Sequence, residues 1–393
     1  MTLAATQDAI PRPQTLTVAP PVGERELRLD LFRGLALWLI FIDHLPDSVL
    51  TWFTMRNYGF SDATEIFIFI SGYTVAFVNG RAMQNRGIIV ASARILKRAW
   101  QIYVAHIFLF TIYLAEISYV AARFDNPLYA EEMNILDFLK SPGETIIEAL
   151  LLRFRPVNMD VLPLYIVLMV FFPPVLWLLR KKPDLALLLS VALYAMTWEL
   201  ELALPSYPSG SWFFNPYAWQ LLFVFGAWCA LGGARRMSRI LTSKITLGLA
   251  AAYLAFACAV AITWYIPKID WMPDALARSM YNISKTDLDV LRFAHFLALA
   301  TLTVHFIPKG WPGLTSAWLR PMVLCGQHSL EIFCFGVFLD FAGRFVLVEY
   351  SGGAWMHSFI TIAGIGLMCA AAWLLAWYKG IAEGGTRAAT GAS

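Results

Sequence analysis

The chain has 393 residues, of which 59% are hydrophobic and 15% charged, with 30 Lys and Arg against 27 Asp and Glu. Soluble chains carry about 25% charged residues, so the composition excludes an ordinary soluble domain, and a net charge of +3 gives no reason to expect nucleic acid. The five cysteines all fall inside apolar runs, which argues against a disulfide framework and a zinc site.

Residues 1–24 are rich in Pro, Thr and Ala and lack the apolar core of a signal peptide. They read as a disordered cytoplasmic tail. Apolar runs long enough to cross a bilayer then follow at 31–51, 61–79, 99–121, 161–179, 185–203, 214–233, 245–266, 290–307, 321–343 and 357–378. Pro163, Pro173 and Pro174 predict a kink in the fourth. Residues 379–393 read as a flexible tail, and no internal repeat appears. With the N-terminus placed in the cytoplasm, the inner segments hold 19 Lys and Arg and the outer segments 9, the expected cytoplasmic bias. The predicted fold is an all-α integral membrane bundle of about ten transmembrane helices over 25–378, with both termini cytoplasmic.

The outer segments differ in character. Ala122 to Met159 is long and acidic. "PSYPSGSWFFNPYAW" is aromatic and nearly uncharged. "WYIPKIDWMPDALARSMYNISKTDLD" mixes Trp, Tyr, Asp, Asn and Lys. Such rings suit either a membrane-interface belt or the apolar faces of a sugar, and the sequence leaves both open.

The first run, "DLFRGLALWLIFIDHLP", carries Arg33 and His44. Ionisable groups inside a span usually have a function. Eleven residues make three helical turns plus about 20°, so the two share a face, about 16 Å apart along the axis. One face thus joins an anion site at the inner end to an imidazole in the outer half. An acyl-coenzyme A fits this layout. Its phosphates would rest on Arg28, Arg33 and the basic second inner loop with Arg94 and Arg98. Its pantetheine arm would follow the apolar face past Leu37 and Ile40 or Phe41 to a thioester near His44. There imidazole would take a proton from an acceptor hydroxyl. The alternative has Arg33 snorkelling to the headgroups and His44 as a packing residue.

The Arg33–His44 spacing resembles the signature of the transmembrane acyltransferase superfamily. "GFSDATEIFIFISGY" (59–73) is similar to that superfamily's second-helix motif, and "GQHSLEIF" (326–333) to its late Gly-x-x-Ser motif. "NMDVLPLYIVLM", "WFFNPYAWQLLFVFGAW" and "LRFAHFLALA" resemble the OpgC family, over about residues 25–378. The resemblance implies a multi-pass bacterial inner-membrane O-acyltransferase. It would move a succinyl group from succinyl-coenzyme A to hydroxyls of periplasmic glucans. Two departures stand out. A late histidine common in the superfamily is absent, with Asp340 in that region, and no periplasmic hydrolase-like domain is expected, so acylation would finish inside the bundle.

Further candidates follow from position. Glu65 and Asp62 lie at the depth of His44 and are the first choices to orient its ring; Asp47 and Asp43 come next. The competing role of Asp62 is a helix N-cap. Asn158 and Asp160 stand just outside the fourth run, as acceptor or oxyanion ligands or as caps. Lys285 is a candidate partner for the succinyl carboxylate, and His295 for His44. His328 is placed near the donor. The histidines and acids do not have metal-ligand spacing, so no metal is expected. Rival readings are an O-acetyltransferase acting on lipopolysaccharide or exopolysaccharide, and a transporter, which the missing repeat disfavours.

Overall fold

A computed structural model describes residues 26–390 apart from 47, 127, 267–270, 274–276, 279 and 281, with side chains described to residue 381. Among these the protein is all-helical, with 79% of the residues in helix and no strands. The main helices are α1 (Leu27–His44), α2 (Ala63–Arg123), α3 (Val161–Lys181), α4 (Pro183–Glu199), α5 (Pro216–Trp228), α6 (Lys244–Tyr265), α7 (Val290–Phe306), α8 (Arg320–Gln327), α9 (Ser329–Glu349) and α10 (Ala354–Thr390). The tail expected after residue 378 continues α10 as helix to Thr390. Asp47 lies outside the described residues.

All ten expected runs fall on these helices. Two of them share α2, whose 61 residues would measure about 90 Å if straight, roughly three bilayer cores. Gly87 breaks it, with φ 82° and ψ 173°, a conformation that suits glycine because it has no Cβ. Among the described residues, five helices are long and apolar enough to cross a membrane: Ala63–Arg123, Val161–Lys181, Pro216–Arg236, Lys244–Tyr265 and Ala354–Ile381. The other runs fall short for visible reasons. α1 carries Arg28, Asp30, Arg33 and Asp43, and α9 carries Glu331, Asp340, Arg344 and Glu349. α4 and α7 have 17 residues each. Phe108, Phe171, Leu188, Leu249, Phe306 and Ile362 project from six helices beyond α1 into the surroundings. A surface this apolar matches lipid rather than water.

Local signals set the helix ends. Asp62 and Glu65 form a capping box at the start of α2. Asn215 caps α5, with Pro216 in its first turn. Asp289 caps α7. α2 is the hub, packed on α3, α5 and α1, while α1 lies along α8. Two crossings are glycine-on-backbone contacts. A Cβ on Gly72 would strike the Phe223 carbonyl, and one on Gly226 the Phe69 carbonyl, so α2 and α5 meet reciprocally. Gly34 and Gly326 do the same for α1 and α8. Small residues permit such approach between membrane helices. The acidic outer segment is folded into three short helices, Leu128–Glu132, Leu136–Lys140 and Pro142–Leu150. It is tied to α9 by Tyr129 to Glu349 at 2.7 Å and by the Arg344–Glu132 ion pair.

Gly72→Val and Gly226→Val are each expected to destabilise the bundle by about 1–3 kcal/mol through overpacking. Gly248→Ala, which has open space around it, should be neutral or slightly stabilising. Thermal unfolding in detergent micelles measures both.

Candidate active site

A cavity of about 820 Å³ opens where α1, α2, α3 and α7 end, beneath the loops that join them. Among the residues lining it are His44, Asp62, Asn158, Asp160, Lys285 and Arg292. Folding thus brings together side chains spread over some 250 positions of the sequence.

His44 is the last residue of α1, just before the Leu45-Pro46 exit. Its Nδ1 lies 3.3 Å from Asp340 Oδ2 on α9. The imidazole is 28% exposed and the Asp340 side chain 3%. A buried carboxylate on one ring nitrogen leaves Nε2 as the nitrogen available to the cavity. The expectation that Glu65 or Asp62 orients this ring is corrected: Asp340 occupies that position.

Glu65 and Asp62 have other work. Arg292 donates through Nε to Glu65 at 2.8 Å and through Nη2 to Asp62 at 3.1 Å. Lys285 Nζ lies 2.6 Å from Asp62. Asp62 also accepts from the Thr64 N–H, and the Asp62 N–H donates to Glu65 at 2.9 Å. The capping role weighed for Asp62 is therefore present, together with two ion pairs. Glu65 is fully buried behind Asp62. Two carboxylates and two cations give a cluster without net charge, which suits an apolar interior.

His295, one turn after Arg292 on α7, does not meet His44. Its Nδ1 accepts the Ser61 N–H at 3.3 Å and lies 2.7 Å from Ser61 Oγ. A Cβ on Gly59 would strike its ring, so the 59–62 segment is moulded on α7. The Lys285 loop is held as firmly. Trp219 Nε1 donates to the Lys285 and Thr286 carbonyls at 3.1 Å. Asn215 Nδ2 donates to Asp287 at 2.9 Å, and Tyr194 to the Leu288 carbonyl at 2.8 Å.

Asp160 starts α3 without a side-chain cap bond and instead accepts from Arg155 Nε at 2.9 Å. Burial pushes its carboxyl above the usual range, and Arg155 pulls it back. Arg155 also lies over the Trp212 ring, 4.4 Å from its centroid, and donates to Ser206. Asn158 holds a left-handed φ of 69° on the cavity wall.

The end of the bundle away from the cavity is a second polar knot. Arg33 donates to Thr74 on α2 at 2.7 Å, and to the Gly326 carbonyl on α8 and to Asp30 at 3.4 Å each. Arg28 bonds Glu26 and the Ile307 carbonyl. His328, between α8 and α9, lies 3.3 Å from Lys379 Nζ. Arg94 and Arg98 are exposed beyond the Gly87 break. On the expected path from Arg33 to His44, Leu37 and Phe41 are buried against the rest of the bundle, while Ile40 reaches the cavity wall.

The sequence model of the OpgC family, described as OpgC protein, matches residues 25–380. The chain belongs to the OpgC family. That membership implies a membrane acyltransferase-type function on glucans. No curated protein and no solved structure matches the chain. In this OpgC-family chain, sequence reasoning passed over Arg155 and Arg56 and saw Asp340 only as a departure. For Arg292 the signal was available, since a guanidinium inside an apolar span demands an anionic partner. For Asp340 it was weaker, because nothing local says which of several acids will reach His44.

Arg292→Met is expected to cost about 3–5 kcal/mol, because it strands Glu65 and Asp62 as buried charges. Adding Glu65→Gln should recover part of that loss. Melting temperatures of the single and double variants test the coupling.

Proposed function

We propose that this protein is an inner-membrane O-succinyltransferase that crosses the bilayer about ten times, with both termini in the cytoplasm. It takes succinyl-coenzyme A from the cytoplasm and acylates hydroxyls of periplasmic glucans, without a metal. The observation that carries the reading is the His44–Asp340 pair at 3.3 Å on the wall of an 820 Å³ cavity. A glucan needs that room, and acyl transfer to a hydroxyl needs a positioned base.

In this reading the acceptor hydroxyl gives its proton to His44 Nε2 as its oxygen attacks the thioester carbonyl. Asp340 holds the ring and stabilises the imidazolium that forms, as the acidic member of a triad does. The tetrahedral intermediate collapses, the C–S bond breaks, and the thiolate of coenzyme A takes the proton back from imidazolium. Asn158 is the candidate donor to the developing oxyanion. Asp160, Lys285 and the aromatic wall bind the acceptor, and His295 shapes that wall through Ser61. A guanidinium suits phosphate recognition, so Arg28 and Arg33, with Arg94, Arg98 and His328, serve the donor at the inner end. Leu37 and Phe41 are packed in the bundle below Ile40, so donor entry requires the helices beside α1 to part.

His44→Ala should abolish succinyl transfer in a protein that still folds. Asp340→Asn should lower kcat by roughly 10²- to 10⁴-fold, with little change in either KM. Mass spectrometry of periplasmic glucans, from cells carrying each variant, reads the outcome. Normal succinylation by a well-expressed His44→Ala protein would remove the general-base assignment.

A further inference from the structure

Among the described residues, four Lys and Arg side chains line the cavity: Arg56, Arg155, Lys285 and Arg292. Three are matched by carboxylates. Arg155 is 2.9 Å from Asp160, Lys285 is 2.6 Å from Asp62, and Arg292 is within 3.1 Å of both Asp62 and Glu65. Arg56 differs. Among the described residues no carboxylate lies within ion-pair distance of it. Its Nη1 donates instead to the main-chain carbonyl of Asp43, at 3.3 Å. That carbonyl occupies one of five N–H donors and does not neutralise the charge. The side chain is exposed, and the Asp43 carboxylate acts on it only from beyond ion-pair distance, so the remaining N–H groups of the guanidinium are open to direct contact with an anion.

The place is as informative as the missing partner. Asp43 directly precedes His44, so the bond ties this guanidinium to the rim beside the imidazole. Arg56 sits in a short 3₁₀ turn, Met55–Tyr58, in the link between α1 and α2. We propose that Arg56 binds the distal carboxylate of a dicarboxylic acyl group and so selects succinyl over neutral acyl chains. This rests on the reading of the site as one for acyl-coenzyme A. A donor entering from the inner end leads with its acyl group. With the thioester carbonyl at His44, the far carboxylate carbon is about 4 Å further on, directed toward the outer link that holds Arg56. A guanidinium presents two parallel N–H groups to the two oxygens of a carboxylate. Lys285 fits this task less well. Its ammonium is in direct contact with Asp62 at 2.6 Å, so a second carboxylate there would meet stronger like-charge repulsion than at Arg56, whose acidic neighbour Asp43 makes no ion pair with it.

The test uses purified full-length protein in lipid nanodiscs with a glucan acceptor. Succinyl-coenzyme A is compared with butyryl-coenzyme A, a neutral acyl chain of the same length. The readout is the ratio of kcat/KM for the two donors, in wild type, Arg56→Gln, Arg56→Lys and Lys285→Gln. Arg56→Gln is expected to lower the succinyl-to-butyryl ratio by about 10- to 100-fold, the scale of one lost charge-assisted pair. The change should fall on the succinyl KM, and Arg56→Lys should restore part of it. An unchanged ratio, or an equal fall for both donors, overturns the assignment of Arg56. So does a lowered ratio in Lys285→Gln alone. Failure of the functional reading looks different: wild-type protein would then transfer neither acyl group.

Discussion

Arg292 is the constraint around which the cavity end of the molecule is arranged. It lies in an apolar helix and is almost fully buried. A charge in that setting is tolerable only when paired and hydrogen-bonded. Its partners, Asp62 and Glu65, are the two members of the α2 capping box. The same carboxylates therefore satisfy the open N–H groups of one helix and neutralise the guanidinium of another. This locks the start of α2 to α7. It also leaves Asp62 one face for Lys285, which is how a loop lysine comes to stand on the cavity wall. His295 and Ser61 extend the lock by one turn.

The aromatic outer segments gain a clearer role from this frame. Trp219 is fully buried and spends its indole N–H on the backbone around Lys285. Trp212 supports the Arg155 guanidinium, and Phe213 and Phe214 flank Lys285. These rings are neither a simple interface belt nor a bare sugar platform. They fix the cations that line the cavity, and among the described residues the aromatic rings on its wall are Phe60, Phe213, Phe214, Trp264 and Tyr265. Buried Trp and Tyr find partners for their polar ends, and here the partners are loop carbonyls.

The half away from the cavity depends on close backbone approach rather than on charge. Gly34 and Gly326 bring α1 and α8 into contact, and Arg33 caps that contact by bonding the Gly326 carbonyl. This carbonyl belongs to the last turn of α8, where helical acceptors lack an internal partner. Arg33 thus has a structural task beside any part in holding a donor, and the two are compatible in a side chain with five donors.

The helical class, the positions of all ten apolar runs and the prominence of His44 were legible in the sequence. Hydrophobic run length and the expense of charge in an apolar helix are local properties, readable one segment at a time. The membership of Asp62, Asn158, Asp160 and Lys285 in one cavity was approachable too, because each stands at the end of a helix or in a loop on the same side. What only the tertiary structure decided is which acid meets which base. Asp340 is nearly three hundred positions from His44, and Glu65 some two hundred and thirty from Arg292. All four acids weighed as partners of His44, namely Glu65, Asp62, Asp47 and Asp43, lie closer to it along the chain than Asp340 does. Pairing across helices depends on how far each helix is rotated and displaced against its neighbours. Here that is governed by the glycine contacts of α1 with α8 and of α2 with α5, and no local pattern in the sequence encodes those angles.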